Sequence, residues 1–504
     1  LNLINLGYDE TKQQFSIILD KSLGVGSVVV ISIAYAGIIN HYADAGLFYT
    51  YYYDNNNQPV FMVATKLESM HARKVFPCMD EPEYKAKFYI ELTYPTAHVA
   101  LSNMMETTPT DFGNGWSRII FPPTQAMSTY LMVFTVGPYV MHSVVNKHGT
   151  LVTSCWTGQE DYLKFSAETA AECLYHMGEV TKIKFAMDKC DHLGLPEFPS
   201  NAMENYGLVI YRHHLIAINF KTATSYDLFE AARVLCHEVS HMWFGNLVTA
   251  KWWDNLFVNE GFATYLQQFI PAKNSLAITG DLEPALQFDA SEKTHPLIAK
   301  DGPYFDRITY KKGGSLLRML NDILGEEVMW DGLSRYLTDH SEGTGTHEDI
   351  WRYLTEAARR ANITGYRGPL NISELMQPYA LESGFPLVHA RLDEEWIVSL
   401  SQEPFKSAKT QWIIPIRTAS HFSKEPSQLK IEWLEPERKD GAGNRRTLAA
   451  KAPRRWLIAS YAMMYGRMEY DDQTFKSLLR KIRTENVPLG VKVMLIGDEV
   501  ALIE

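Results

Sequence analysis

The sequence predicts a multidomain α+β protein, and two observations support this prediction. The chain has 504 residues, of which 46% are hydrophobic. It is too long for one compact domain and apolar enough to build several cores. Its periodicity changes from strand-like runs to helical stretches and back again. We therefore expect a β domain at 1–147 that is incomplete at its start, a mixed α/β domain at 148–385, a β-sandwich at 386–468 and the beginning of a helical domain at 469–504.

The β domains are predicted from runs rich in Val, Ile, Tyr and Phe that are separated by turn residues. In the first domain the runs are QQFSIILD, SVVVISIAY, LFYTYYY, KFYIELTYP and TYLMVFTV. The apolar stretch from Val25 to Ile39 is shorter than a membrane span and contains Gly and Tyr, so we interpret it as a buried strand. After Pro386 the alternation returns in WIVSL, WIIPIRTA and LKIEWLE, which predicts the β-sandwich.

Helical periodicity predicts the middle domain and the last segment. Helices are expected near Tyr162 to Val180, Thr224 to Phe244, Gly261 to Ile270 and Tyr310 to Tyr336. From Asp471 an amphipathic helical pattern opens, and the chain ends within it. Since the chain also begins without Met, we interpret it as a fragment, which leaves an upstream signal peptide or anchor open.

Charge and cysteine content narrow the classes of function. The chain carries 48 basic and 59 acidic residues, a net charge of −11 at pH 7, and no Lys/Arg-rich run that would follow a phosphate backbone. We therefore expect no nucleic-acid partner. The five cysteines form no Cys-x-x-Cys pair, so neither a cysteine zinc site nor a dense disulfide framework is predicted.

A metal site is predicted where two histidines lie four residues apart on one helix. Thr224 to Asp227 has the pattern of a capping box, and the apolar residues that follow keep a helical period, so His237 and His241 share a face. Two imidazoles in this arrangement can converge on one zinc ion at about 2.0–2.1 Å. Glu238 projects to the side of this face, where it is too far round the helix to be a ligand but can act as a base on water.

A third candidate ligand raises the specificity of this motif. His-Glu-x-x-His alone is only moderately specific, and its structural alternative is a pair of exposed or hydrogen-bonded helix histidines. Glu260 follows in WWDNLFVNEGFATYL, which has the pattern of a second helix. Two helices would then supply three ligands and leave one coordination position open, as in catalytic zinc sites. We predict one zinc ion per chain, held by His237, His241 and Glu260.

Several motifs resemble those of one family, the gluzincin aminopeptidases of the aminopeptidase N family. HEVSHMWFGNLVT followed by NEGFA resembles the family's zinc site, and NAMENYGLVIYR is similar to its Gly-x-Met-Glu-Asn exopeptidase motif. ARKVFPCMDEPEYKAKF is similar to the N-terminal signature, FDRITYKKGGSLLRML to the catalytic-tyrosine segment, and SGFPLV to the closing edge of the catalytic domain. The motifs occur in the family's order along essentially the whole chain.

The resemblance implies both a fold and an activity. The fold is an N-terminal β-saddle domain, a thermolysin-like α/β catalytic domain, a small β-sandwich and a large helical domain, of which this chain holds only the start. The activity is that of a zinc metalloaminopeptidase that removes the N-terminal residue from peptides, with Glu238 as general base and Tyr310 stabilising the oxyanion. Glu204 and Glu68 would hold the substrate's free ammonium. The implied substrate-binding residues are Glu68, Asn201, Ala202, Met203, Glu204 and Asn205.

Two departures from the family pattern bear on substrate binding. Around Glu68, the residues Lys66, Ser69 and Met70 are unusual for the family, so the resemblance does not fix the preference for the substrate side chain. Asn201 replaces the Gly that opens the amine-binding motif, which adds a side chain where backbone and peptide approach closely and is expected to narrow binding.

Three alternatives stay open. A peptide-binding relative with lost or weak turnover is favoured by truncation and by a short segment before Tyr310. It is opposed by the intact Glu238 and Tyr310. A leukotriene-type epoxide hydrolase would have a different amine motif from Asn205 to Leu208, and a thermolysin-like endopeptidase would not need Glu204. The expected partners are peptides with a free N-terminus. The oligomeric state is open, with a dimer as one option, and a membrane-anchored or extracellular setting is favoured over the cytosol.

Overall fold

The computed structural model describes residues 3–269, 275–392, 398–406, 410–419, 431–436, 445–448, 458–459, 464–484, 487 and 489–503. Two compact units are distinguished, Leu1–Gly37 and Ile38–Glu504. The first unit contains an antiparallel hairpin of β1 (Leu3–Asp9) and β2 (Gln14–Leu19). This hairpin confirms the strand expected in QQFSIILD.

The prediction of a buried strand within Val25 to Ile39 is wrong. These residues form no strand, and their side chains are exposed, with Val28 at 94% and Val30 at 90% of full accessibility. An apolar run becomes a strand only where a neighbouring strand offers its hydrogen-bonding edge, and no described strand pairs with this run. Local composition was therefore an insufficient guide here.

Strands dominate the second unit up to Trp156, as the alternation predicted. They form a sheet of order β3-β4-β5-β10-β7, a smaller sheet of order β6-β9-β8, and the first strands of a third sheet. Only the last parts of KFYIELTYP and TYLMVFTV become strands. The strands are β3 (Asn40–His41), β4 (Gly46–Tyr53), β5 (Pro59–Lys66), β6 (Glu91–Pro95), β7 (Val99–Ser102), β8 (Thr110–Gly113), β9 (Trp116–Ile120), β10 (Phe134–Gly137), β11 (Val140–Val145) and β12 (Leu151–Trp156).

The third sheet carries the cleft on one of its edges. Its order is β11-β12-β13-β15-β14, in which β12, β13 and β15 run parallel and the edge strand β14 runs antiparallel to β15. The parallel strands are buried almost throughout, since helices pack on the sheet. The remaining strands of this region are β13 (Lys189–Leu195), β14 (Ala202–Met203), β15 (Leu208–Arg212), β16 (Thr249–Ala250), β17 (Thr344–Gly345), β18 (Thr364–Gly365) and β19 (Gly368–Pro369).

Helices follow where the helical period predicted them, with two corrections. The second predicted helix ends at Ser240 rather than Phe244. The predicted helix from Tyr310 to Tyr336 is a π-helical turn (Ile308–Lys312) followed by two helices, because Gly325 adopts φ +80° and breaks the helical path. The helices are α1 (Lys164–Thr181), α2 (Ser225–Ser240), α3 (Phe257–Phe269), α4 (Ser275–Asp289), α5 (Gly313–Leu324), α6 (Glu326–Asp339), α7 (His347–Arg360) and α8 (Ile372–Leu381).

Two further sheets and two helices follow α8. The sheets have the orders β24-β21-β20-β26 and β23-β22-β25, in agreement with the strand-rich region predicted after Pro386. That these sheets pack as a sandwich, and that domains end at 147, 385 and 468, stay predictions. The elements are β20 (Pro386–Leu392), β21 (Val398–Pro404), β22 (Ile414–Ala419), β23 (Ile431–Leu434), β24 (Arg445–Leu448), β25 (Ile458–Ala459), β26 (Arg467–Tyr470), α9 (Asp472–Thr484) and α10 (Leu489–Ile503).

A continuous buried apolar cluster connects the sheets to the helices that carry the site. It includes Phe48 of β4, Val152 of β12, Leu235 of α2 and Phe262 of α3. Helices α1 and α2 are also linked by a disulfide between Cys173 and Cys236, whose Cα atoms are 5.5 Å apart. Among the described residues, no helix combines the length and apolarity that crossing a membrane requires.

Candidate active site

Helix α2 brings two imidazoles to one point. The predicted capping box is present: Thr224 Oγ1 accepts a hydrogen bond from the Asp227 amide at 3.2 Å, and the Thr224 amide donates to the Asp227 carboxylate at 2.7 Å. This cap sets the start of the helix and therefore its phase. His237 lies in the last turn and His241 directly follows the helix in α-conformation, with ring centroids 4.9 Å apart. Both rings face α3.

Helix α3 supplies the third donor at the same point. Glu260 Oε2 lies 3.2 Å from His237 Nε2 and 3.3 Å from His241 Nε2. Tetrahedral coordination at about 2.0–2.1 Å separates ligand atoms by roughly 3.3–3.4 Å, so these separations match a zinc site. Two nitrogens and one carboxylate oxygen are also donors that zinc prefers. The three residues therefore fit a zinc ion in both geometry and chemistry.

Neighbouring groups fix the orientation of both imidazoles. His241 Nδ1 donates to the Phe244 carbonyl at 3.0 Å, and His237 Nδ1 donates to Gln267 Oε1 at 3.1 Å. Arg233 Nη1 donates to the same Gln267 oxygen at 3.0 Å, which identifies that atom as an acceptor. Because each Nδ1 carries its proton toward an acceptor, each Nε2 is left free to bind a cation.

Glu238 lies beside the three donors and outside their set. Its carboxylate is buried and lines a cavity that His237, His241 and Glu260 also line. Ligand-type atoms of Glu238, Glu204 and His241 lie within 4.8 Å of one another. Burial raises the pKa of Glu238 well above its ordinary value, with the neighbouring carboxylates adding to the effect and His241 opposing it. A proton taken up by Glu238 would therefore be held firmly.

Tyr310 projects into the cavity from the π-helical turn. Its ring stacks on the His237 ring, with centroids 6.0 Å apart and planes 10° apart. Burial, followed by the charge of Glu260, raises the pKa of Tyr310 well above its ordinary value, so the hydroxyl stays protonated. The turn is held by an ion pair between Lys312 and Asp289, 2.9 Å apart and both fully buried.

Glu68 and Glu204 form an acidic group on the other side of the same cavity. Glu68 follows β5 and Glu204 follows β14, and each has a buried oxygen, Oε1, without a hydrogen-bond partner. Ligand-type atoms of these two carboxylates and of Glu260 lie within 4.8 Å of one another. Burial raises the pKa of Glu204, and it raises the pKa of Glu68 to about 7 although Lys66 opposes the shift. Buried carboxylates with open oxygens are suited to binding a cation.

The residues before and after Glu204 differ in their exposure to solvent. Asn201 is exposed at the rim of the cavity, and Ala202 and Met203 form β14, whose only described partner is β15. The outer edge of β14 therefore offers backbone groups to an added strand. Asn205 is fully buried. Gly207 follows at φ +87°, where a Cβ would collide with the Asn103 carbonyl, so the turn after the motif requires glycine.

These groups line one cleft of about 620 Å³. Of the predicted site residues, only Met203 and Asn205 do not line it. Those that do are Glu68, Asn201, Ala202, Glu204, His237, Glu238, His241, Glu260 and Tyr310. The fold therefore brings together residues that lie between Glu68 and Tyr310, far apart along the chain.

Comparison with known proteins identifies the family. Residues 3–131 match the model of the peptidase M1 N-terminal domain, and residues 165–379 match that of the peptidase family M1 domain. The chain belongs to peptidase family M1. The predicted resemblance is thereby confirmed, together with an N-terminal M1 domain and an M1 catalytic domain.

Individual relatives cover nearly all of this M1 chain. It is 41% identical to a Caenorhabditis elegans protein named "Putative aminopeptidase-2", over 98% of this chain and 28% of that protein. It is 30% identical to the puromycin-sensitive aminopeptidase of C. elegans and 29% identical to human aminopeptidase N, over 91% and 90% of this chain and 49% of each relative. The chain thus spans about half or less of the length of these relatives.

Sequence reasoning did not single out several residues of this M1 site. Gln267 lies two turns after Glu260 on the same face of α3, and Arg233 lies one turn before His237 on α2, so helical spacing could have indicated both. Lys66 was noted only as an unusual residue, and its contact with Glu68 could not be read from the sequence. The role of the Phe244 backbone carbonyl could not be predicted from the sequence, since every residue has a backbone carbonyl.

Proposed function

We propose that this chain is a zinc metalloaminopeptidase that hydrolyses the first peptide bond of peptides with a free N-terminus. The observation that carries the proposal is the presence, in one cleft, of a His-His-Glu donor set and two buried carboxylates with open oxygens. The first group suits a catalytic metal and the second suits an ammonium. A cleft with both is expected to act at the amino end of a peptide.

One zinc ion would be held by His237, His241 and Glu260. The separations of their donor atoms and the bonded Nδ1 atoms of both histidines support this assignment. When bound, zinc supplies Lewis-acid chemistry that activates water and polarises a carbonyl. Three protein ligands leave a coordination position for this purpose.

Glu238 would act as the general base. It would take a proton from the attacking water and deliver it to the leaving amine. Its position supports this role, because it lies beside His241 in the same cleft and outside the proposed ligand set.

Tyr310 would stabilise the oxyanion that develops on the scissile carbonyl. A hydroxyl can donate this hydrogen bond only while it is protonated, and the raised pKa of Tyr310 keeps it so at all ordinary pH values. The stacking on His237 supports the same role because it directs the phenol toward the donor set.

Glu204 and Glu68 would bind the substrate's ammonium and so determine which bond is cut. Their carboxylates lie beside Glu260, and the first peptide bond is the one that such an anchored amino end can bring to the metal ligands. The open edge of β14 would pair with the peptide backbone, which supports action on many sequences.

The test is hydrolysis of aminoacyl reporter amides by the purified chain loaded with zinc. We expect activity on free amino ends, loss on N-acetylated amides, and loss with a chelator that zinc reverses. Glu238→Gln is expected to lower kcat by roughly 100- to 10,000-fold with unchanged zinc content. Glu168→Gln, an exposed residue of α1, is the matched control and should retain activity.

Two results would contradict the proposal. Equal hydrolysis of acetylated and free amides would indicate an endopeptidase, since no amino anchor would then be needed. Activity that survives both the chelator and Glu238→Gln would exclude the metal-assisted mechanism.

A further inference from the structure

A fixed positive charge lies inside the acidic side of the cleft. Lys66, the last residue of β5, lines the cleft with its side chain about nine-tenths buried. Its Nζ lies 2.6 Å from Glu68 Oε2 and 2.9 Å from the sulfur of Met203. An ammonium of the protein therefore occupies one oxygen of a carboxylate that the proposed function uses for the substrate.

Two other cations of the cleft, Arg233 and Lys311, are engaged with different partners, and a third, Arg307, is exposed. Arg233 forms a bidentate pair with Glu230 and also donates to Gln267, and Lys311 pairs with Asp281 at 3.3 Å. Lys66, in contrast, shares its partner with the proposed ammonium site. Glu68 Oε1 and Glu204 Oε1 are the oxygens that remain open there.

The position of Lys66 places its charge beside the first side chain of a peptide. An ammonium held by the open oxygens of Glu68 and Glu204 lies on the carbon that also carries this side chain. The first atom of this side chain is therefore separated from the ammonium nitrogen by the Cα atom alone. It lies within a few ångströms of the Lys66–Glu68 pair. At such distances, and with little water present, unlike charges attract and like charges repel strongly.

We propose that Lys66 selects the first residue of the peptide by charge, favouring acidic side chains and rejecting basic ones. The inference rests on the proposed function and names its substrate class: peptides that begin with Glu or Asp, and after them neutral residues, rather than Lys or Arg. Lys66 also repels the ammonium of every substrate, but that effect is the same for all of them and cancels in a ratio.

The test is the ratio of kcat/KM for glutamyl and lysyl reporter amides. We expect the native chain to prefer the glutamyl amide, and Lys66→Met to shift the ratio toward the lysyl amide by roughly 10- to 100-fold. Lys66→Arg keeps the charge and should keep the preference. Lys74→Met removes a lysine of the same segment whose Nζ donates to the Asp44 carbonyl outside the cleft, and should leave the ratio unchanged.

The outcomes separate this inference from the proposed function. If the native chain hydrolyses no aminoacyl amide, the proposed function fails. If it hydrolyses alanyl amides but prefers lysyl to glutamyl ones, the inference fails, and this result needs no variant. An unchanged ratio in a Lys66→Met protein that melts like the native chain and still cleaves the alanyl amide would also overturn the inference.

Discussion

The two sides of the cleft differ in how their polar groups are bonded. We call His237, His241 and Glu260 the metal side, and Lys66, Glu68 and Glu204 the amine side. On the metal side, both Nδ1 atoms have acceptors and both Nε2 atoms lie within 3.3 Å of Glu260. On the amine side, two buried carboxylate oxygens have no partner. The metal side is pre-oriented, and the amine side is left open.

The difference reflects what each side is proposed to bind. A resident ion needs ligands held in one geometry, and outer hydrogen bonds provide this orientation. A substrate that must enter and leave needs open oxygens, although burying them destabilises the folded protein. Lys66 offsets part of this effect at Glu68, whereas Glu204 has no comparable cation within hydrogen-bond distance among the described contacts.

The largest effect expected in this comparison of the two sides is that of removing the proposed oxyanion donor, Tyr310, beside the metal side. Tyr310→Phe should lower kcat on aminoacyl amides by roughly 100- to 1,000-fold, because it removes one hydrogen bond to the developing charge. Zinc content should not change. The control is Tyr304→Phe, whose hydroxyl bonds Asp301 on the surface. Equal activity of the two variants would remove Tyr310 from the mechanism.

The pH dependence of stability tests whether the Glu68 carboxylate of the amine side is destabilised by burial. Burial raises the pKa of Glu68 from 4.5 to about 7, so between these values the folded state binds more protons than the unfolded state. The free energy of unfolding should therefore fall as pH rises from 4.5 through 7, by about 3 kcal/mol from this group. Urea unfolding of the metal-free proteins at pH 5 and pH 8 measures this. Between these pH values the free energy of unfolding should fall less for Glu68→Gln than for the native chain. Parallel pH profiles of variant and native chain would contradict this.

The outer hydrogen bond of the metal side can be removed at Gln267. Gln267→Leu deprives His237 Nδ1 of its acceptor, so the ring loses its fixed orientation and zinc affinity should fall by roughly 10- to 100-fold. Competition with a chromogenic chelator measures this directly. Gln287→Leu changes an exposed glutamine of α4 and serves as control. Unchanged affinity in Gln267→Leu would show that packing alone orients His237.

The smallest expected effect compares the two carboxylates of the amine side. Glu204→Gln should raise KM for an alanyl amide about tenfold, as expected for one lost charged hydrogen bond. Glu68→Gln should raise KM less, because Lys66 already shares the charge of Glu68. Steady-state kinetics at pH 7 distinguish the two. A larger effect of Glu68→Gln would reverse the proposed order of the anchors.

The sequence by itself determined the features that depend on neighbours along the chain. The capping box at Thr224 sets the phase of α2, and the spacing of His237 and His241 then places both on one face whatever surrounds them. The motif order also sufficed to predict the family. Strands such as β4 could be predicted because a run rich in Phe, Tyr and Thr suits a half-buried sheet face.

Only the tertiary structure decided which distant groups meet. The run from Val25 to Ile39 has strand composition but no described strand to pair with, and Gly325 breaks a helix that the apolar pattern would have continued. The contact of Lys66 with Glu68 and Met203 and the hydrogen bond of Gln267 to His237 depend on how β5, β14, α2 and α3 pack together. Side-chain periodicity reports which face of an element is buried, but it carries no information about the partner that covers it.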